Sequence, residues 1–211
     1  KAGTARADIT PPVGIAHGNW GAATHERAEG VDLPLWATAL TLFDGETRAA
    51  IVDVDALHFP RELCVEMRSA ISAVTGIPPE HIRVSASHTH SGPSWTTSTW
   101  VRQGVDMVEP YVASVKDKLA GAVWEAMRAE RPVTVGYRKG ECRVNVNRRL
   151  RLPDGRIVVG QNPSGFVDPE VIVLQLDEPD GSPVATIVNY ACHPTIMAHL
   201  NRLITPDYPG Q

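Results

Sequence analysis

Residues 34–86 constrain the fold most. "PLWATALTLFDGETRAAIVDVDAL" holds two apolar runs joined by Asp-Gly-Glu, a turn sequence that predicts a β-hairpin. "RELCVEMRSAISAVTGIPPEHI" follows, with Leu63, Met67, Ala70, Ile71 and Val74 at helical spacing, and Gly76 with Pro78 ending the run. "IRVSAS" then returns to strand character. Strand, helix, strand over this distance predicts a βαβ unit whose two strands lie parallel in one sheet.

The flanking sequence adds to that nucleus. "AGTARADITPP" alternates apolar and polar positions and breaks at Pro11-Pro12, as an edge strand does. Residues 17–31, "HGNWGAATHERAEGV", read as a long surface loop of the kind that carries function; His17 and His25 within it, like His58 and His81, read as surface residues. "EPYVASVKDKLAGAVWEAMRAE" predicts a second helix, with Val112, Val115, Leu119, Val123 and Met127 on one stripe. Beyond it, strands are expected in "VTVGYRKGECRVNVNRR", in a hairpin around "LPDGRIVVG", and in "EVIVLQLDE" and "VATIVNYACH", the last two joined by an Asp-Gly turn. The fold class is therefore α/β, with mixed β-sheet layers, a large antiparallel component and packed helices.

Bulk properties exclude several roles. Among the 211 residues the net charge is −4, with a pI near 6.1 and no basic run, which argues against nucleic acid or an anionic membrane as partner. No stretch approaches the roughly 18 apolar residues of a spanning helix. Cys64, Cys142 and Cys192 are odd in number and lack C-x-x-C spacing, so reduced, mostly buried thiols are expected. The chain ends just past a Tyr-Pro-Gly turn without a closing element, which reads as a cut through a larger fold.

Three apolar runs end alike. "AAIVDVDAL" leads into Asp53 and Asp55, "IRVSASHTH" into His88 and His90, and "ATIVNYACH" into His193. The C-terminal edge of strands in α/β sheets is where ligands bind. In an extended segment H-x-H puts both imidazoles on one side, roughly 6.5 to 7 Å apart. Imidazole suits zinc, and a catalytic zinc keeps a position for water. Each feature alone has a plainer reading: an isolated H-x-H at a strand end is weak, Asp53 and Asp55 are commonly turn groups, and a single histidine is commonly a core residue. Cys192 should face away from His193, since neighbours on a strand point to opposite faces. A two-metal phosphoesterase or esterase using Asp55, His88, His90 and His193 is an alternative, as is a non-catalytic domain braced by metal.

With these residues in view the chain resembles the N-terminal part of the neutral/alkaline (non-lysosomal) ceramidase family. "SASHTHSGP", "NVNRR" with "VDPEVIVLQLDEPDG", and "NYACHPTIMAHLNRLITPDYPG" carry the resemblance, and "AGTARADITPP" with "AEGVDLPLWATALTLFDG" fits the family's start. The resemblance implies a zinc-dependent hydrolase cleaving the amide of N-acyl sphingoid bases or related N-acyl amines, with a small-molecule or lipid amide as partner. It implies His88 and His193 as ligands of Zn2+, His90 as proton relay or substrate contact, and Arg148 as oxyanion or substrate contact; Asp53 and Asp55 remain candidates to hold the imidazoles. The whole span 1–211 would be the first part of a catalytic domain, with the family's remaining ligands, a glutamate and a tyrosine, beyond Gln211. Likeness to bacterial ceramidases implies secretion, whereas the unpaired cysteines also fit the cytoplasm. The chain departs from the family pattern at Pro194, where the family has glycine, and in "TWVRQGVDMVEPY", residues 99–111.

Overall fold

The computed structural model describes residues 1–97 and 100–211; Ser98 and Thr99, the latter opening the segment that departs from the family pattern, lie outside the described residues. The chain divides into two units. Unit 1 comprises residues 1–132 and 194–211, and unit 2 comprises residues 133–193.

Unit 1 is built on the expected nucleus. Strands β1 (Ala2–Asp8), β3 (Trp36–Phe43), β4 (Arg48–Val54) and β5 (Ile82–Ala86) form one sheet in the order β1-β3-β4-β5. β1 pairs antiparallel with β3 and β3 with β4, while β4 and β5 are parallel, with Asp53 opposite Ser85. The β3–β4 turn is fixed by Asp44, whose carboxylate accepts from the amides of Glu46 and Thr47 at 2.9 and 2.7 Å. A two-stranded parallel pair joins β2 (Gly30–Val31) to β11 (Leu203–Ile204).

The β4–β5 crossover is helix α1 (Arg61–Thr75), which buries Leu63, Met67 and Ile71, one turn apart. Val74, expected on that stripe, is instead half exposed in the last turn. There Gly76 closes the helix in a left-handed conformation, its amide donating to the Ser72 carbonyl at 2.8 Å. Helix α2 (Val108–Arg128) buries Val115, Leu119 and Val123 as expected, and also Ala122 and Ala126; Val112 and Met127 pack at the margin. The alanines let α2 lie close on β1. A Cβ at Gly3 would fall 2.0 Å from the Ala126 carbonyl oxygen, so the strand backbone touches the helix backbone where only glycine fits. The sheet contributes Ala37, Ala39, Ala50, Val52 and Val54 to the same core.

Unit 2 contains an antiparallel sheet in the order β10-β9-β6, from β6 (Thr134–Glu141), β9 (Glu170–Asp177) and β10 (Pro183–Tyr190). A separate hairpin pairs β7 (Arg149–Arg151) with β8 (Ile157–Val159) around the Asp154-Gly155 turn. β6 stops at Glu141, so the 142–148 stretch expected as strand is irregular. Its asparagines bond main chain themselves instead of joining a ladder: Asn145 Nδ2 donates to the carbonyls of Asp168 and Ala191, and Asn147 Nδ2 to that of Phe166. Among the described residues Leu176 is the one buried hydrophobic side chain of this unit. Among them, too, no helix is long and apolar enough to cross a membrane. Among the described residues Cys64, Cys142 and Cys192 form no disulfide, and they are half-buried rather than buried.

Candidate functional site

Because β4 and β5 are parallel and in register, the chain leaves both at the same sheet edge, and Asp55 and His88 emerge there. The pairing persists past the strands: the Ser87 amide donates to the Val54 carbonyl at 3.0 Å and the His88 amide to the Ala56 carbonyl at 2.8 Å. His88 then takes a left-handed backbone, with φ of +71°, a conformation that a side-chain-bearing residue adopts at some strain. H-T-H is therefore not extended. The two rings meet edge to face with centroids 5.0 Å apart, nearer than an extended segment would place them.

Each imidazole is oriented by a backbone carbonyl. His88 Nδ1 lies 2.6 Å from the Leu57 oxygen and His90 Nδ1 lies 2.8 Å from the Asn19 oxygen. A carbonyl only accepts, so both Nδ1 atoms carry the proton and the neutral rings keep their lone pair at Nε2. The ring of Trp20 packs against His90 with centroids 4.6 Å apart. Asn19 is itself held by its side chain, which donates to the Gly92 carbonyl at 2.8 Å.

The segment between the histidines and Gly92 is stitched to the returning chain of unit 1. Buried Thr89 donates its hydroxyl to the Thr205 carbonyl at 2.9 Å, the Thr205 amide donates to the Ser91 carbonyl at 3.0 Å, and Asn201 donates to the Ser91 hydroxyl. Asp207, buried and with φ of +60°, braces that return by accepting from the amides of Ile196, Met197 and Tyr208. "ITPDYPG" thus works as a strap under the histidine loop.

Asp55 is buried, and its carboxylate accepts from the Trp36 amide at 2.8 Å and the Ser87 hydroxyl at 3.3 Å. Asp53 accepts from the Ser85 hydroxyl. Although the Asp53 side chain reaches solvent, the protein crowding it and then the Asp55 charge push its pKa up to about 6; burial likewise raises Asp55.

Two histidines expected at the surface are interior. His17 is 1 % and His25 8 % exposed, and His17 Nδ1 meets His25 Nε2 at 2.7 Å. They close the base of the 17–26 loop, so what looked like an unremarkable loop pair belongs to the core. The histidines at i and i+8 flanking Gly-Asn-Trp-Gly were the available signal. His58 and His81 are exposed, as expected.

Unit 2 brings Arg148 and His193 together. The exposed Arg148 guanidinium donates to His193 Nδ1. A guanidinium has no lone pair, so His193 is a neutral imidazole there, with its lone pair on Nδ1. Asn145 links the two segments, through its bonds to Asp168 and Ala191, and Asn147 fixes the bend by accepting from the Arg149 amide at 2.9 Å. His193 follows the end of β10 rather than lying on it. Arg148, Asn145, Asn147, Ile157 and Phe166 line an open depression of about 530 Å³ within this unit.

Over residues 1–211 the chain matches the family described as neutral/alkaline non-lysosomal ceramidase, N-terminal. The chain belongs to this family. It is 24 % identical over 220 residues to the neutral ceramidase of Pseudomonas aeruginosa, covering 99 % of this chain and 32 % of that protein. To neutral ceramidase A of Dictyostelium discoideum it is 25 % identical over 223 residues, covering 99 % and 30 %. The chain thus spans about a third of the length of these curated relatives. The crystal structure of the Pseudomonas aeruginosa neutral ceramidase superposes with a TM-score of 0.79 at 23 % identity, over 98 % of this chain and 34 % of that one. That likeness establishes the shared α/β fold.

Neutral imidazoles whose second nitrogen is fixed by a carbonyl are the donors that zinc takes in proteins. His88 meets that description through Leu57. His193 differs: the lone pair that would bind a metal is the one at Nδ1 that accepts from Arg148.

Proposed function

We propose that the 211 residues form the first part of the catalytic domain of a zinc-dependent hydrolase, which cleaves the amide bond of an N-acyl amine of ceramide type. His88 and His193 are its ligands from this chain. Bound zinc supplies a Lewis acid and an activated water near neutral pH. The observation that carries the reading is the carbonyl-fixed orientation of His88 and His90 at the shared edge of a parallel strand pair, in a chain matched end to end by this family.

The roles of the other residues follow from their donors. Water adds across the amide, the acyl carbon taking hydroxyl and the nitrogen taking a proton. His90, with Nδ1–H given to Asn19, is the tautomer whose basic nitrogen is Nε2, the atom that would take a proton and hand it to the leaving amine. Arg148 offers donors only, which suits it to the oxyanion that forms as the carbonyl is attacked. Asp55 accepts from Trp36 and Ser87, one bond at each oxygen, which suits it to holding the strand ends in place.

The test is amine release from N-acylsphingosine and from short N-acyl amines by the purified protein, before and after chelation and with zinc restored. Hydrolysis lost on chelation, restored by zinc and abolished in His90→Ala supports the reading. Phosphoester cleavage with inert amides would replace it.

A further inference from the structure

The interior His17–His25 pair has no part in the chemistry above, yet it lies at the base of the loop that orients His90. The backbone closes that base through the Ala16–Arg27 bridge and the His17 amide donating to the Glu26 carbonyl at 2.8 Å. Inside it the two imidazoles close the loop again, with ring centroids 5.0 Å apart and a 2.7 Å contact between ring nitrogens. At that distance one nitrogen donates and the other accepts, so the accepting ring is neutral and one proton sits between the two. The remaining His25 Nδ1 is buried and finds no partner among the described residues. His17 Nε2 lacks a partner of hydrogen-bond geometry, although the Ser91 backbone lies near it. Buried polar nitrogens left in this state are costly, and such groups call for an explanation in function.

Between the paired histidines sit the groups that hold His90. The Asn19 carbonyl takes the His90 Nδ1 proton, and the Trp20 ring packs on the imidazole face. Gly18 connects them to the clasp: its φ is +88°, and a Cβ there would fall 2.5 Å from the His25 carbonyl oxygen. The loop is thus drawn down onto His25 one residue before the carbonyl that orients His90. Trp100, on the far side, donates its indole N–H to the Gly18 carbonyl at 3.2 Å.

We propose that the His17–His25 hydrogen bond is the clasp that sets His90, by fixing the turn at Gly18 that aims the Asn19 carbonyl and the Trp20 ring. His17 and His25 are then positioning residues. Their value to catalysis rests on the proposed role of His90, whereas the clasp itself is readable without any reaction.

The readout is long-range 1H–15N correlation of the histidine rings in the purified protein. The wild type should show His90 as one neutral tautomer protonated at Nδ1, and a downfield proton shared by His17 and His25. His17→Leu should abolish the shared proton and turn His90 into an average of two tautomers, whereas His17→Gln, which can still bond His25, should restore the single tautomer. If His17→Leu does not fold, His25→Phe carries the same test, since it keeps a ring and removes the ring nitrogens that make the bond. A folded His17→Leu or His25→Phe protein with the wild-type His90 signal overturns the proposal. Amide hydrolysis is measured alongside, with kcat expected to fall 10-fold or more in His17→Leu at little change in KM, on the order of one positioning contact. Loss of the His90 signal in a protein that hydrolyses no amide even as wild type would retain the clasp and reject the hydrolase reading.

Discussion

His88 and His90 in unit 1 take their orientation from the Leu57 and Asn19 carbonyls, and Leu57 is itself buried beside a core that includes Val54, Met67 and Ile71. Arg148 and His193 in unit 2 are held by asparagine side chains, in a segment where strand pairing has stopped. That unit has Leu176 as its one buried hydrophobic side chain among the described residues, and Val159 and Phe166 stand more than four-fifths exposed. A side chain need not be buried to be fixed. His88 is exposed, yet the backbone that aims it is locked by packing, so its precision comes from the scaffold beneath. In unit 2 the same task falls to polar side chains at the surface.

The contrast is easiest to break through the core. Met67→Ala should destabilise the protein by about 3 kcal/mol, the range for emptying a large buried side chain, and Val159→Ala by less than about 0.5 kcal/mol. Urea unfolding of both variants measures the two values; equal losses would mean that the hairpin of unit 2 is as tightly packed as α1. Hydrogen exchange should rank the units likewise, with the amides of Val52 and Val54 slowest and those of β6 much faster.

Acid separates the interior histidine pair from the carboxylates at the sheet edge. Burial lowers His17 from 6.5 to about 4, so the unfolded chain binds the extra proton between those values and this contribution to stability is lost as pH falls from 6.5 to 4. Asp53, raised to about 6, and Asp55, also raised, act with the opposite sign: the folded chain holds their protons longer, and the Asp53 contribution is lost as pH rises from about 4 to 6. Relative to wild type, His17→Gln should therefore gain on the order of 3 kcal/mol in unfolding free energy between pH 7 and pH 4. Parallel stability curves would show that His17 keeps its ordinary affinity for protons. A smaller effect is expected at Tyr111, whose buried hydroxyl donates to the Ile9 carbonyl at 2.7 Å: Tyr111→Phe should cost about 1 to 2 kcal/mol in the same assay.

Much of unit 1 was legible because its signals are local. Alternation, the Asp-Gly turn and the 3.6-residue spacing of Leu63, Met67 and Ile71 state the βαβ nucleus directly, and the parallel pairing of β4 and β5 follows from the crossover. The α2 stripe was legible too, though not its alanines, whose use depends on Gly3 in a distant strand. Elements set by side chain to main chain bonds were not legible. The 142–148 stretch has strand-like alternation, but Asn145 and Asn147 satisfy other segments of backbone. In the site, the H-T-H pair was visible, whereas its geometry depends on the left-handed His88 and on Thr205, 116 residues from Thr89. Asn19, Trp20 and the His17–His25 pair were hidden because a loop of small and polar residues gives no sign in sequence that two of its histidines turn inward.

The central claim is that His88 and His193 hold a zinc ion, and elemental analysis of the purified protein tests it most directly. Wild type should carry about one zinc per chain, while His88→Ala and His193→Ala should each lose it and Arg148→Ala should keep it. Zinc retained in both histidine variants would contradict the account.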